Sequence, residues 1–301
     1  MEKGVNPHKT VRIKREVRKR IIKEKISELF PGLFEVDPPR IQGDDPIVLT
    51  GALIKHNDVH LLPAGEKIPS HRIEMAAVTL HGAFGSYGIL KRVSESPPKD
   101  YYKTLWSKSA EIPIWIGSCR FEDPFDDILQ AYSLTGFGGA RVTREMNEAL
   151  VTLGDAVGLI TSGKMSTHML TDDVGSIPIV IARNAPIIDA IKEMISHNIR
   201  RLFVKGGQGM FVSDRSLIDF MFSPERLETA RDSPEMWLDG EVGNLDTKSP
   251  GRCQAGDLDR AAKEIGPAPD DCLLTDQSRV ISRWDMIVKP WRAGKLAVVE
   301  N

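Results

Sequence analysis

A chain of 301 residues, 41% hydrophobic and 27% charged, holds material for about two domains with real cores. No apolar run approaches the roughly 18 residues that cross a bilayer, and the basic N-terminus does not suit a signal-peptide core, so a soluble protein with no membrane partner is expected. Cys119, Cys253 and Cys272 are scattered and odd in number, which argues against a disulfide framework or a zinc site and for a reducing, cytoplasmic compartment.

The first element in chain order is a basic arm. Residues 1–25 carry ten Lys or Arg against three Glu, a net of +7 that leaves −9 on the remainder of a chain totalling −2. Val17, Ile21, Ile22, Ile26, Leu29 and Phe30 fall at helical spacing, and Pro31-Gly32 ends the pattern. Two readings stand side by side. One is a surface helix docked by its apolar stripe. The other is an arm whose Arg12, Lys14, Arg15, Arg18, Lys19, Arg20 and Lys23 grip RNA or DNA phosphates without reading bases.

Beyond the arm a unit repeats. Its least regular copy runs from Pro46, PIVLTGALIKHNDVHLLPA, through an insertion around Gly65 to Met75, and ends in AAVTLHGAFGSYGILKR. The second copy opens at Ile112, IPIWIGSCRFEDPFDDILQAY, with Asp127 three places after Pro124, and continues through GGARV and ALVTLGDAVGLIT. The third opens at Ile177, IPIVIARNAPIIDAIKEM, with Asp189 three places after Pro186, and continues through RRLFV and GMFVS. An acidic stretch rich in proline and glycine, Ser223 to Gly256, is the longest irregular connection. The fourth copy, LDRAAKEIGPAPDDCLLTDQSRVISRWDMIVKPW, reads helix, loop, strand, strand, helix. Proline suits a first helical turn, and unit starts roughly 60 to 80 residues apart suit one small β-α-β-β-α module each.

Inside the second copy, GLITSGKM at Gly158 to Met165 matches the phosphate-cradling pattern G-x-x-x-x-G-K. Met165 stands where that loop needs a magnesium-binding Ser or Thr, and STHMLTDDVGS is a poor helix opener, so a nucleotide-hydrolase loop is not expected. His56 and His60 share a helical face but lack a third ligand, so no metal site is expected. GFGGAR lies between helix and strand, the wrong order for a dinucleotide fingerprint, and no nucleophile elbow is present. Trp106, Trp237, Trp284 and Trp291 read as packing anchors, with Trp291, Arg292 and Lys295 also open as an RNA contact. No enzyme is expected.

The repeated unit resembles the cystathionine-β-synthase (CBS) domain, over nearly all of the chain after about Asp37. The resemblance implies an α/β fold of α+β-type repeats. Four CBS-like units would form two tandem pairs, residues 37–172 and 173–301, behind a basic helical arm at 1–36. In this family a Ser or Thr, two variable residues and an Asp join the last strand to the second helix, and they hold the phosphate and ribose of an adenosine ligand. On that pattern Ser282 and Asp285 form the complete joint of the fourth unit. Ser213 is the hydroxyl of the third, with Ser216 in place of the acid. Thr161 is assigned to the second joint, with Lys164 at the acid position, and Gly88 to Ser94 is assigned to the first, with neither group.

A carboxylate can accept from both ribose hydroxyls, whereas a lysine can accept from neither. The resemblance therefore implies a regulatory protein that needs no cofactor for chemistry, binds AMP, ADP, ATP or another adenosyl ligand, and modulates a macromolecular partner. The alternative is a ribosome- or RNA-binding stress factor anchored by the arm, its ligand joints partly lost. Such pairs often dimerise, which leaves a homodimer open.

Overall fold

The computed structural model describes residues 22–34, 77–79, 82–84, 86–107, 117–136 and 138–299. Three units share one topology. The second is β3 (Gly117–Arg120), α4 (Phe125–Thr135), β4 (Gly139–Arg144), β5 (Asn147–Thr152) and α5 (Leu153–Thr161). The third is β7 (Val180–Ile181), α7 (Ile187–His197), β8 (Arg201–Val204), β9 (Phe211–Ser213) and α8 (Asp214–Met221). The fourth is β10 (Gly251–Cys253), α10 (Leu258–Ile265), β11 (Leu273–Thr275), β12 (Val280–Ile281) and α11 (Arg283–Arg292). In each, the first two strands pair parallel and the last two antiparallel. A parallel pair needs a long crossover, which the intervening helix supplies.

Local chemistry explains the boundaries. Pro124 and Pro186 sit at the N-caps of α4 and α7, where a missing N–H costs nothing, with Asp126, Asp127 and Asp189 in the first turns. Gly136 and Asn198 end the same helices in left-handed backbone, at φ of 69° and 51°. Leu258, Ala261, Ala262 and Ile265 give α10 one buried stripe. At Gly117 a Cβ would lie 2.1 Å from that of Ala131, so only glycine lets β3 lie this close to α4.

Of the first unit, the described residues hold the antiparallel pair β1 (Ala77–Thr79) and β2 (Gly82–Phe84), followed by α2 (Ser86–Glu95). A short helix α3 (Tyr101–Leu105) follows, and α9 (Pro224–Asp232) lies within the stretch read as irregular. Ser223 caps α9 by accepting from the Arg226 N–H, and Pro224 occupies its first position. Trp237, fully buried, joins these two insertions through Tyr101 and donates its Nε1–H to Met221 O at 2.9 Å. Trp106 is instead 56% exposed and anchors no core.

The arm root also departs from expectation. Among the described residues its helix is α1 (Ile26–Leu29), residues 22–25 before it are not helical, and Val17 and Ile21 lie outside the described residues. The backbone before it bonds to the second unit: Phe125 N–H to Glu24 O, Ile26 N–H to Asp123 O and Ser27 N–H to Phe121 O. Those groups are unavailable to a longer helix. Ile22, Ile26, Leu29 and Leu33 are buried, as a docked apolar stripe requires.

Among the described residues three hydrophobic clusters form the core. The first joins the arm root to the helices of the second and fourth units, including Phe125, Tyr132, Leu258, Met286 and Trp291. The second joins α2 and α3 to the third unit. The third is small: Phe203 and Phe211 of β8 and β9 meet Cys272 and Leu274 at β11, so the third and fourth sheets face each other. Burial pushes the Cys272 thiol up to about 11, which suits a packing role. Among the described residues the remaining α-helix is α6 (Thr171–Val174), and the remaining strands are β6 (Met165–Ser166) and β13 (Ala297–Val298), which pair antiparallel.

Candidate functional site

Three strand-to-helix joints share one backbone geometry. Thr152, Ser213 and Ser282 are N-caps of α5, α8 and α11, with φ/ψ of −107°/167°, −112°/168° and −123°/172°. Three residues on stand Asp155, Ser216 and Asp285. Asp155 Oδ2 accepts from the Thr152 N–H and hydroxyl, both at 2.8 Å. Asp285 Oδ2 accepts from the Ser282 N–H at 2.8 Å and hydroxyl at 2.7 Å. In the third unit Ser213 Oγ accepts from the Ser216 N–H at 3.1 Å. Each is a reciprocal cap that satisfies donors at a helix start.

The second joint is therefore not where the sequence reading set it. Thr161 lies exposed on the last turn of α5, its hydroxyl donating to Gly158 O at 3.1 Å. Gly163, at φ 74°, donates to Ile160 O and Lys164 donates to Leu159 O, the paired bonds of a helix C-terminus. GLITSGKM thus presents the negative end of a helix, the reverse of a phosphate cradle. The hydroxyl and acid stand nine residues earlier, in Thr152 and Asp155. Their spacing, Thr-x-x-Asp, is the signal that finds them. Gly88 to Ser94 likewise lies inside α2, with Ile89, Leu90 and Val93 buried.

The fourth joint is closed by a cation. Lys289 Nζ meets Asp285 Oδ1 at 2.6 Å and donates to Val174 O and to Ser176 Oγ, so Asp285 is 8% exposed. Any other donor to Asp285 Oδ1 competes with Lys289.

The third joint is closed by an anion from the fourth unit. The Ser213 hydroxyl, fully buried, donates to Asp270 Oδ2, which also takes Lys248 Nζ at 2.8 Å. The Arg201 guanidinium donates to the Asp270 carbonyl, and Arg283 pairs with Asp271 at 2.6 Å. Burial works against ionisation of Asp270, but the hydrogen bonds from Lys248 and Ser213 and the charges of Lys248 and Arg201 outweigh it. Its carboxyl is held below the ordinary range. Nothing at Ser213 in the sequence announces Asp270, which lies 57 residues away.

Of the basic arm, Lys23 is exposed, while Arg12, Lys14, Arg15, Arg18, Lys19 and Arg20 lie outside the described residues, as do His56 and His60. Trp291 is 3% exposed and donates its Nε1–H to Asp126 at 2.8 Å, which removes it as a stacking platform for RNA. Clefts of about 290 and 280 Å³ flank Asp257, the first lined by Arg252, Arg260 and Glu264, the second by Ser166, His168 and Asp259. No joint residue lines either. Among the described residues no group of three or more His, Cys, Asp or Glu could hold a metal ion, and no helix is long and apolar enough to cross a membrane.

No family model matches the chain, and no curated protein matches it. Solved structures do. A Methanocaldococcus jannaschii protein proposed as an archaeal homolog of g-AMPK is 14% identical at a TM-score of 0.65, over 88% of this chain and 99% of that one. An uncharacterized conserved protein from Pyrococcus horikoshii is 13% identical at a TM-score of 0.44, over 71% of this chain and 89% of that one. At such identity the first likeness speaks for the fold alone. That fold is the mixed α/β, CBS-type arrangement of small sheets and helices.

Proposed function

We propose that this chain is a non-catalytic regulatory protein that binds an adenosine-type nucleotide at its strand-to-helix joints and passes the binding state to a macromolecular partner. In this reading residues 37–172 and 173–301 are two tandem pairs of units. The carrying observation is the recurrence of one hydroxyl–carboxylate pair, Thr152 with Asp155 and Ser282 with Asp285, in matching geometry on two units. An acceptor-only carboxylate suits the paired hydroxyls of a ribose, and a helix N-terminus beside it suits a phosphate.

Thermal denaturation with and without AMP, ADP and ATP tests this. Wild type is expected to melt higher with at least one of them, because a ligand that binds only the folded state stabilises it. Asp155→Ala combined with Asp285→Ala is expected to abolish the rise. An unchanged rise in that variant contradicts the reading.

A second reading adds RNA as the partner. Its support is the charge of +7 on residues 1–25 against −9 elsewhere, on an arm whose root is packed against the second and fourth units. Replacing Arg15, Arg18, Lys19 and Arg20 by Gln is then expected to abolish RNA binding that weakens steeply with salt. Salt-independent binding counts against it.

A further inference from the structure

We propose that the Asp270–Asp271 turn is an internal anion seated in a phosphate cradle formed by Ser213, Arg201, Lys248 and Arg283, so that a polyphosphate group enters the third joint by displacing the turn. This deepens the nucleotide reading by naming how one joint is regulated. It stands on a cation cluster and not on the ribose acids, so the two can fail separately.

The donors come from four places in the chain. Arg201 opens β8, Ser213 caps α8, Lys248 precedes β10 and Arg283 opens α11. All converge on two consecutive residues of the turn between α10 and β11. Asp270 Oδ2 receives the Ser213 hydroxyl and Lys248, the Asp270 carbonyl receives Arg201, and Asp271 Oδ1 receives Arg283. Arg200 is engaged separately by Asp214 at 2.5 Å. Three cations therefore face these two carboxylates.

The turn itself holds an unfavourable shape. Asp270 and Asp271 have φ of 45° and 53°, left-handed backbone at two successive residues that carry side chains. Such a conformation persists where surrounding contacts impose it. The groups that impose it are the ones a phosphate chain uses: guanidinium forks, an ammonium and a hydroxyl, all donors, meeting an acceptor-only polyanion. The carboxylates come from the fourth unit, and two of the four cradle residues, Arg201 and Ser213, come from the third. Displacing the turn therefore also removes polar contacts that tie the two facing sheets, which gives the site a way to change how the units meet.

The test compares wild type with Asp270→Gly/Asp271→Gly. Glycine keeps the left-handed backbone accessible while removing both carboxylates. Calorimetric titration with inorganic tripolyphosphate is expected to show at least tenfold tighter binding by the variant. Replacing Arg201 and Lys248 by Met in that variant is expected to reverse the gain. An equal gain for ATP assigns the site to a nucleotide's phosphate chain, and a gain for tripolyphosphate alone assigns it to free polyphosphate. The gain is expected to persist with Asp155→Ala and Asp285→Ala added, which separates it from the ribose reading. A folded variant whose affinity equals that of wild type overturns the proposal.

Should the variant not fold, hydrogen exchange on wild type decides. Saturating tripolyphosphate is expected to speed exchange of the Asp271 and Cys272 amides, which bond to Ala268 O and Pro269 O inside the turn. Unchanged or slower exchange there overturns it.

Discussion

The third and fourth units build the same joint and finish it differently. The fourth carries its own acid, Asp285, one turn into α11, and covers it with Lys289 from the next turn. The third has Ser216 at that position, and the Ser213 hydroxyl draws its carboxylate from Asp270, across the facing sheets. One closure is local and survives as long as α11 does. The other exists only while the third and fourth units meet. A site made of short-range contacts is thus set beside one that reports on assembly, though both caps hold the same extended backbone, at φ/ψ of −112°/168° and −123°/172°.

The largest effect is expected at the contact on which the third joint depends. Phe211 is fully buried between the sheets, and Phe211→Ala is expected to cost about 3–5 kcal/mol of unfolding free energy, measured by urea denaturation. A smaller effect separates the two serines. Ser282→Ala removes a cap and is expected to cost about 1 kcal/mol, whereas Ser213→Ala also strips a donor from half-buried Asp270 and is expected to cost about 2 kcal/mol. Equal losses in the two variants dissolve the distinction.

The smallest effect is in pH. Asp270 has its carboxyl held below the ordinary value, so its stabilisation is complete above the unfolded carboxylate pKa of about 4 and fades as pH falls through the lower folded value. The difference in Tm between wild type and Asp270→Gly is expected to be constant from pH 7 to about 5 and to shrink on further acidification. A difference that grows in acid contradicts the assignment of charge.

Legibility followed distance along the chain. The proline and following acid at Pro124 and Pro186 announced the helices α4 and α7, because the capping chemistry is local. The strand β3 instead falls on Gly117–Arg120, read as a polar break, and the apolar run before it lies outside the described residues. The second joint was missed because ALVTLGDAVGLIT reads as one mostly apolar run. Strand β5 passes into α5 at Thr152 with only Thr152 and Asp155 to mark the boundary, while the conspicuous glycine and lysine of GLITSGKM end the helix instead of starting it. The helix of the arm was overextended because Ile22 to Ser27 spend backbone bonds on residues about a hundred positions away. Asp270 was invisible for the same reason: only the facing of two sheets brings it to Ser213.

The central claim is that the hydroxyl–carboxylate joints bind a nucleotide, and a crystal structure grown with AMP tests it most directly. The account predicts ribose density against Asp285 or Asp155, and at Asp285 a Lys289 moved away from the carboxylate. Saturating AMP with both joints empty and the Lys289–Asp285 pair intact would contradict it.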